Sequence, residues 1–295
     1  MAHEASVIAV PRKKSSVPWL DIKNMPWIPI TILTTLLIIT IFAPLLTPHS
    51  PDEIALPNRL LPPVWQEGGS PDHLLGTDTL GRDLLTRIYF GARVSLLVAA
   101  LVLTFGGLTG LALGILSGYV RGVIGAVIMR LVDSLMAIPS ILIALVFAMT
   151  LGPSMRTVII AVSVVLWARF ARVMRGEVLA VSTRDYILQA KVAGCSEGRI
   201  MLIHVLPNVF NTFMILLSLN VGWVILIEAS LSFLGAGIPP PTPSWGQMVS
   251  EGRGYITSAW WITFFPGLAL AITVLAFQLF GDWLRDKLDP KLRQL

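Results

Sequence analysis

The sequence predicts an all-α integral membrane protein with six transmembrane helices, and three observations carry that expectation. Hydrophobic residues make up 55% of the 295-residue chain and charged residues only 13%, far from the ~45–50% and ~25% of ordinary globular domains. Six apolar runs approach or exceed the ~20 residues that cross ~30 Å of hydrocarbon. The Lys and Arg residues flank these runs and form no dense patch interleaved with exposed aromatics, so the net charge of +5 reports topology and not nucleic-acid binding.

Residues 1–27 are polar and basic (Arg12, Lys13, Lys14, Lys23) and precede the first span, residues 28–46. The long lead-in and the lack of a small-x-small cleavage site make this an uncleaved anchor. Residues 47–92 are Pro-rich and of mixed charge, which predicts an extramembrane loop ending in a short amphipathic helix around Arg82 to Phe90. Further spans are expected at Arg93 to Gly118, Val123 to Leu151, Thr157 to Met174, Val209 to Leu234 and Trp260 to Trp283. Residues 93–284 thus form one transmembrane domain, interrupted by a polar insert at 175–208 and, before the last span, by a Pro-rich turn with an interfacial helix. Residues 285–295 form a tail. With the amino terminus inside, 16 of the 22 Lys and Arg residues fall on the cytoplasmic side. That asymmetry places both termini and the insert in the cytoplasm and the 47–92 loop outside.

Several chemistries are excluded by motif. His3, His49, His73 and His204 lack metal-ligand spacing, and neither CxxC nor HExxH occurs, so no metal site is expected. None of the six lysines follows a glycine, so there is no phosphate-binding loop, and GxSxG is missing. Cys195 is the single cysteine and makes no internal disulfide. No nucleophile stands with a base, so the chain reads as a non-enzyme.

Within the spans, Gly106, Gly110, Gly114 and Gly118 recur every fourth residue and share one helix face, where missing side chains let another backbone approach. Packing inside the subunit is one reading, and sliding between transport states is the other. Asp133 lies inside the third span, where an unpaired carboxylate costs ~2.5–3.5 kcal/mol. Arg130, Arg169 and Arg172 are its candidate partners, the other reading being a substrate or ion contact. Glu228, near the outer end of the fifth span, raises the same question, with Arg253 and Arg156 as candidates. Arg169, Arg172 and Arg175 recur every third residue at the end of the fourth span, and snorkelling accounts for them.

The insert reads as two short helices. One ends at Gly194, free to take the left-handed conformation, and the next begins at Ser196 and runs to Pro207, giving a compact knob. Tyr186 and Ile200 are expected to pack across it, with Ala190, Ala193 and Gly194 keeping the tip small.

Ala190, Gly194, Ile200, Leu206 and Pro207 match the pattern of the cytoplasmic coupling loop of ABC-importer permeases, with Leu188 and Gln189 standing where that pattern has Glu and Ala. The block His73-Leu74-Leu75-Gly76-Thr77-Asp78 with Gly81-Arg82-Asp83 and Arg93-Val94-Ser95-Leu96 is similar to the start of the transport domain in dipeptide, oligopeptide, glutathione and nickel permeases. Glu228-Ala229-Ser230-Leu231-Ser232-Phe233-Leu234-Gly235 with Pro243-Ser244-Trp245-Gly246 resembles that subfamily's outer segment. The resemblance implies the type I ABC-importer permease fold and a subunit of the second-permease type in a bacterial inner membrane. It implies as partners a second, different permease, two ATPase subunits and an external solute-binding protein. ATP and Mg²⁺ would be bound by the ATPases and no cofactor by this chain, whose insert would dock on them through Tyr186, Ala190, Ala193, Gly194, Ile200, Leu206 and Pro207. Two other classes make different demands on the sequence. An ion-gradient-driven secondary transporter predicts inverted repeats, which the sequence does not show. A membrane scaffold would need the insert to recruit a signalling protein.

Overall fold

The computed structural model describes residues 25–288, so most of the amino-terminal tail and residues 289–295 lie outside the described residues. Among the described residues there is no strand. The helices are α1 (Trp27–Leu46), α2 (Leu84–Tyr119), α3 (Gly122–Met136), α4 (Ser140–Leu151), α5 (Met155–Ser182), α6 (Asp185–Val192), α7 (Glu197–Arg199), α8 (Leu206–Phe233), α9 (Trp245–Gly252) and α10 (Trp261–Leu288). A π-helical segment, Ile200–Val205, joins α7 to α8.

Five helices are long and apolar enough to cross a membrane, and α3 with α4, which meet at a bend of 88°, pass the same test as a pair. The sequence reads residues 123–151 as one straight run, but Pro139 breaks it. Proline has no N–H to donate and disfavours helical backbone at Ile138, so the helix stops at Met136 and restarts at Ser140.

The expected amphipathic helix at Arg82 to Phe90 is not a separate element. It is the first part of α2, a continuous helix of 36 residues. At 1.5 Å per residue α2 is about 54 Å long, well beyond the ~30 Å hydrocarbon layer. The helix therefore starts at Leu84, ahead of the apolar run expected from Arg93. Asp83 begins the helix by accepting the Thr86 N–H at 2.8 Å.

Helix α2 is the axis of the bundle, and its most extensive contact is with α5. The glycine stripe lies in that contact. A Cβ on Gly106 would come within 3.1 Å of Leu166 Cβ, on Gly114 within 2.5 Å of Met174 Cβ and on Gly118 within 2.8 Å of Val178 Cβ. On Gly110 it would overlap Phe170 and sit 2.7 Å from the Trp167 carbonyl oxygen. The two backbones approach as closely as they do because these four positions have no side chain. Helix α8 packs on α2, α5 and α10, whereas α1 lies mainly against α2 and α10 and leaves most of its surface free.

A substitution test follows from the stripe. Gly110→Leu or Gly114→Leu should abolish accumulation of folded protein or shift its thermal midpoint down by many degrees, because both backbones must separate. Ala112→Leu, on an exposed face of the same helix, should stay near wild type. Detergent-solubilised yield and thermal unfolding distinguish the three variants.

Candidate functional site

The two ends of the bundle carry different chemistry. The knob end is built by residues 183–206. Helix α6 closes in a Schellman motif: the Cys195 N–H donates to the Ala190 carbonyl at 3.1 Å and the Gly194 N–H to that of Lys191 at 3.0 Å. Gly194 takes φ +79°, as this motif requires, and space beyond its Cα is open. Ser196 has cap-like extended backbone but its side chain makes no capping bond. The residue that packs under the knob with Ile200 is Ile187, since both are fully buried in one apolar cluster, while Tyr186 is exposed. Val192 at the tip is 91% exposed.

Pro207 does not end the second knob helix. The helical chain passes from Glu197 to Phe233 without a break, and Pro207 lies inside it, directly after the π-helical segment. The preceding turn is widened: the Leu206 N–H bonds to the Met201 carbonyl, five residues back. That π register leaves room for the proline ring beside the carbonyls it would otherwise strike. Knob and membrane helix are thus one rod. The knob also touches the end of α2, where the Lys191 ammonium stands 4.9 Å from the centre of the Tyr119 ring.

Of the two carboxylates singled out within the spans, Asp133 pairs with Arg172, one of its three candidate partners, and both side chains are exposed in the isolated chain. Arg169 lies 4.3 Å above the Trp223 ring of α8, so it joins helices and does more than snorkel. Glu228 departs from expectation. It pairs with neither Arg253 nor Arg156 but accepts hydrogen bonds from Ser95 on α2 at 3.1 Å and from Ser232 at 2.9 Å, fully buried. Arg253 instead faces the Phe233 ring, and Arg156 lines a cleft between α2 and α5.

The loop end holds a buried ionic cluster that the sequence reading missed. Arg82 bonds Asp78 at 2.6 Å and Glu251 at 3.0 Å, and Arg87 reaches the same two carboxylates at 3.1 and 3.3 Å. Two cations face two anions, so the cluster is neutral although Arg82, Arg87 and Asp78 are almost completely enclosed. Burial pushes the Glu251 carboxyl above its ordinary range, an effect that the neighbouring Arg82 opposes. The i, i+4 spacing of Asp78 and Arg82 was the available local signal, but Glu251 lies on α9 and only the fold brings it near. Asp78 also accepts the N–H groups of Leu80 and Arg82, closing a turn in which Gly76 and Gly81 take positive φ. The Trp245 indole donates to the Ile88 carbonyl at 3.0 Å and the Trp261 indole to that of Thr77 at 3.1 Å. The sequence blocks at 73–96 and 228–246 are therefore two halves of one structure, which ties the loop, α9 and α10 to the start of α2.

The chain thus combines a bundle of long apolar helices with a rigid helical knob at one end. Residues 110–294 match the family of binding-protein-dependent transport system inner membrane components. The chain is 45% identical over 258 residues to the dipeptide transport system permease protein DppC of Escherichia coli K12, covering 88% of this chain and 86% of that protein. It is 42% identical over 257 residues to the protein of that name from Haemophilus influenzae, covering 87% of each. A di/tripeptide transport system permease of Pseudomonas aeruginosa is 42% identical over 253 residues, covering 86% of this chain and 84% of that one. The fold resembles a chain of the MetNI methionine ABC transporter in an inward-facing conformation, with a TM-score of 0.58 at 18% identity, covering 70% of this chain and 96% of that one. This chain belongs to the binding-protein-dependent transport system inner membrane component family and has the type I ABC-importer permease fold.

The ionic cluster gives a stability prediction. Arg87→Met leaves the single guanidinium of Arg82 to face two carboxylates in a largely buried site and should cost about 3–5 kcal/mol. Arg253→Met, at an exposed position, should stay within about 0.5 kcal/mol of wild type. Thermal unfolding of the two purified variants measures the difference.

Proposed function

We propose that this chain is one of two different permeases in a bacterial importer of di- or oligopeptides or a related small solute. The observation that carries this reading is the 42–45% identity, over most of the chain, to dipeptide and di/tripeptide permeases. ATP and Mg²⁺ are handled by separate ATPase subunits, and an external binding protein delivers the solute. The knob at 183–206 is the docking element for an ATPase. Its Schellman-closed turn is rigid, Leu188 and Val192 are exposed apolar side chains at the tip, and its second helix continues into α8. A push on the knob therefore moves a membrane helix directly, and alternating access follows from tilting that rod against α2 and α5. Both termini and the knob lie in the cytoplasm, with residues 47–83 outside, as the distribution of Lys and Arg supports.

Orientation is tested by labelling. A cysteine introduced at Ser70 should react with an impermeant thiol reagent in intact cells, whereas Cys195 should react only after permeabilisation. The reverse pattern overturns the topology and the docking role together.

Docking is tested at the turn and the tip. Gly194→Glu and Val192→Glu should leave the subunit in the membrane while solute-stimulated ATP hydrolysis and dipeptide uptake in vesicles both fall at least tenfold. Gly194→Asn, which tolerates positive φ, should retain most activity. Ile200→Asp buries a charge beneath the knob and should also lower recovery of the complex. Normal coupled transport by the Gly194→Glu and Val192→Glu variants would reduce the knob to a connector.

A further inference from the structure

The sequence spacing of the histidines points to no metal site, yet folding brings two of them together with carboxylates at the loop end. One ligand atom from each of His49, His73 and Asp83 lies within 4.8 Å of the others. The two imidazoles stack with centroids 4.8 Å apart. Together with Glu53 they line a small cavity of about 70 Å³, large enough for a cation and water.

We propose that His49, Glu53, His73 and Asp83 form a divalent transition-metal site of the Zn²⁺ class. Nitrogen and carboxylate donors in this ratio suit Zn²⁺, whose Zn–N and Zn–O bonds of ~2.0–2.2 Å put neighbouring tetrahedral ligands ~3.3 Å apart. His73 Nδ1 and Asp83 Oδ1 are already 3.1 Å apart, and both side chains are nearly enclosed. Asp83 is held further by its Oδ2, which caps α2 through the Thr86 N–H. These two donors are the fixed half of the site.

His49 and Glu53 are the adjustable half. The Nε2 of His49 stands 3.0 Å from the Asp72 carbonyl oxygen, which can only accept, so Nε2 carries the proton and the Nδ1 lone pair is free for a metal. Nδ1 lies 3.9 Å from Glu53 Oε2, which is also 3.5 Å from the Ser50 N–H. Their side chains are 26% and 61% exposed, so rotating them inward onto the fixed pair disturbs no packed core. The ion takes the place of the proton between His73 and Asp83 and crosslinks the chain just after α1 to the start of α2.

The test uses the full-length protein in detergent, free of any affinity tag, stripped with chelator and titrated with Zn²⁺ by calorimetry. One saturable site is expected. His49→Ala and Glu53→Gln should each weaken it at least tenfold, and His204→Ala, remote from the cavity, should not. Zn²⁺ should raise the thermal midpoint of wild type and not that of His49→Ala. No saturable binding by wild type, or unchanged affinity in both His49→Ala and Glu53→Gln, overturns the proposal. Should His49→Ala fail to fold, the exposed Glu53→Gln substitution decides alone.

Discussion

A membrane offers helices no hydrophobic drive to associate, because lipid tails are as apolar as leucine, so close backbone packing has to supply what burial supplies in water. In this chain that packing is concentrated where α2 crosses α5. Gly106, Gly110, Gly114 and Gly118 turn a bare strip of α2 toward Leu166, Phe170, Met174 and Val178, one residue from each successive turn of α5. Once that pair is fixed, α8 has a shared surface to lie on, through Phe170 against Phe213 and Gly107 against Leu217. Helix α10 in turn lies on α8, where Gly281 accepts Leu219.

Polar groups follow a second rule, that whatever is removed from water needs a partner inside the protein. The bundle meets it differently along its length. Within the spans Glu228 is met by hydroxyls alone. At the loop end, where α2 emerges, the carboxylates of Asp78 and Glu251 are met by guanidiniums, and the planar fork of Arg82 reaches both at once. The second arrangement holds three separate chain segments at one point. Trp245 and Trp261 bury their rings there too, and each indole donates to a backbone carbonyl, that of Ile88 in α2 or that of Thr77 in the loop before it.

Local features were legible in the sequence because their causes are local. The four-residue glycine repeat and the helix end at Gly194 each depend on residues within one or two turns, and each stands where the sequence puts it, while the apolar runs are helical with shifted or broken bounds. The breaks in regularity were less legible. Pro139 and Pro207 give the same local signal, yet one bends a crossing by 88° and the other lies inside an unbroken rod. The difference is that Pro207 follows a widened turn, and a π segment leaves no mark in hydrophobic periodicity. The partners of Glu228, the ionic cluster around Arg87 and the meeting of His49 with His73 were beyond reach for another reason. Each joins residues from different elements, and a single sequence carries no record of which elements meet.

The knob and the loop end are linked through α2, and this makes the chain more than a set of parallel spans. At one end α2 begins in the ionic cluster, with Asp83 capping it and Arg87 buried in its first turn. At the other it finishes at Tyr119, beneath Lys191 of the knob. Helix α8 runs beside it, starting as the second half of the knob and carrying Glu228, which is hydrogen-bonded to Ser95 of α2. Two rigid rods thus connect the ends: the first half of the knob meets α2 at a cation–π contact, and the rods themselves meet at a carboxylate–hydroxyl bond. Packed interfaces of this kind rearrange in discrete steps and do not deform continuously. Displacement of the knob relative to Tyr119 must either carry α2 with it or shear the α2–α8 contact at Ser95 and Glu228. The glycine stripe favours the first outcome for α2 and α5, since two backbones interlocked at every turn move as one body. The contact free to shear is then the one between α2 and α8, which is joined by a single buried polar link and, apart from Gly107, by side chains longer than glycine.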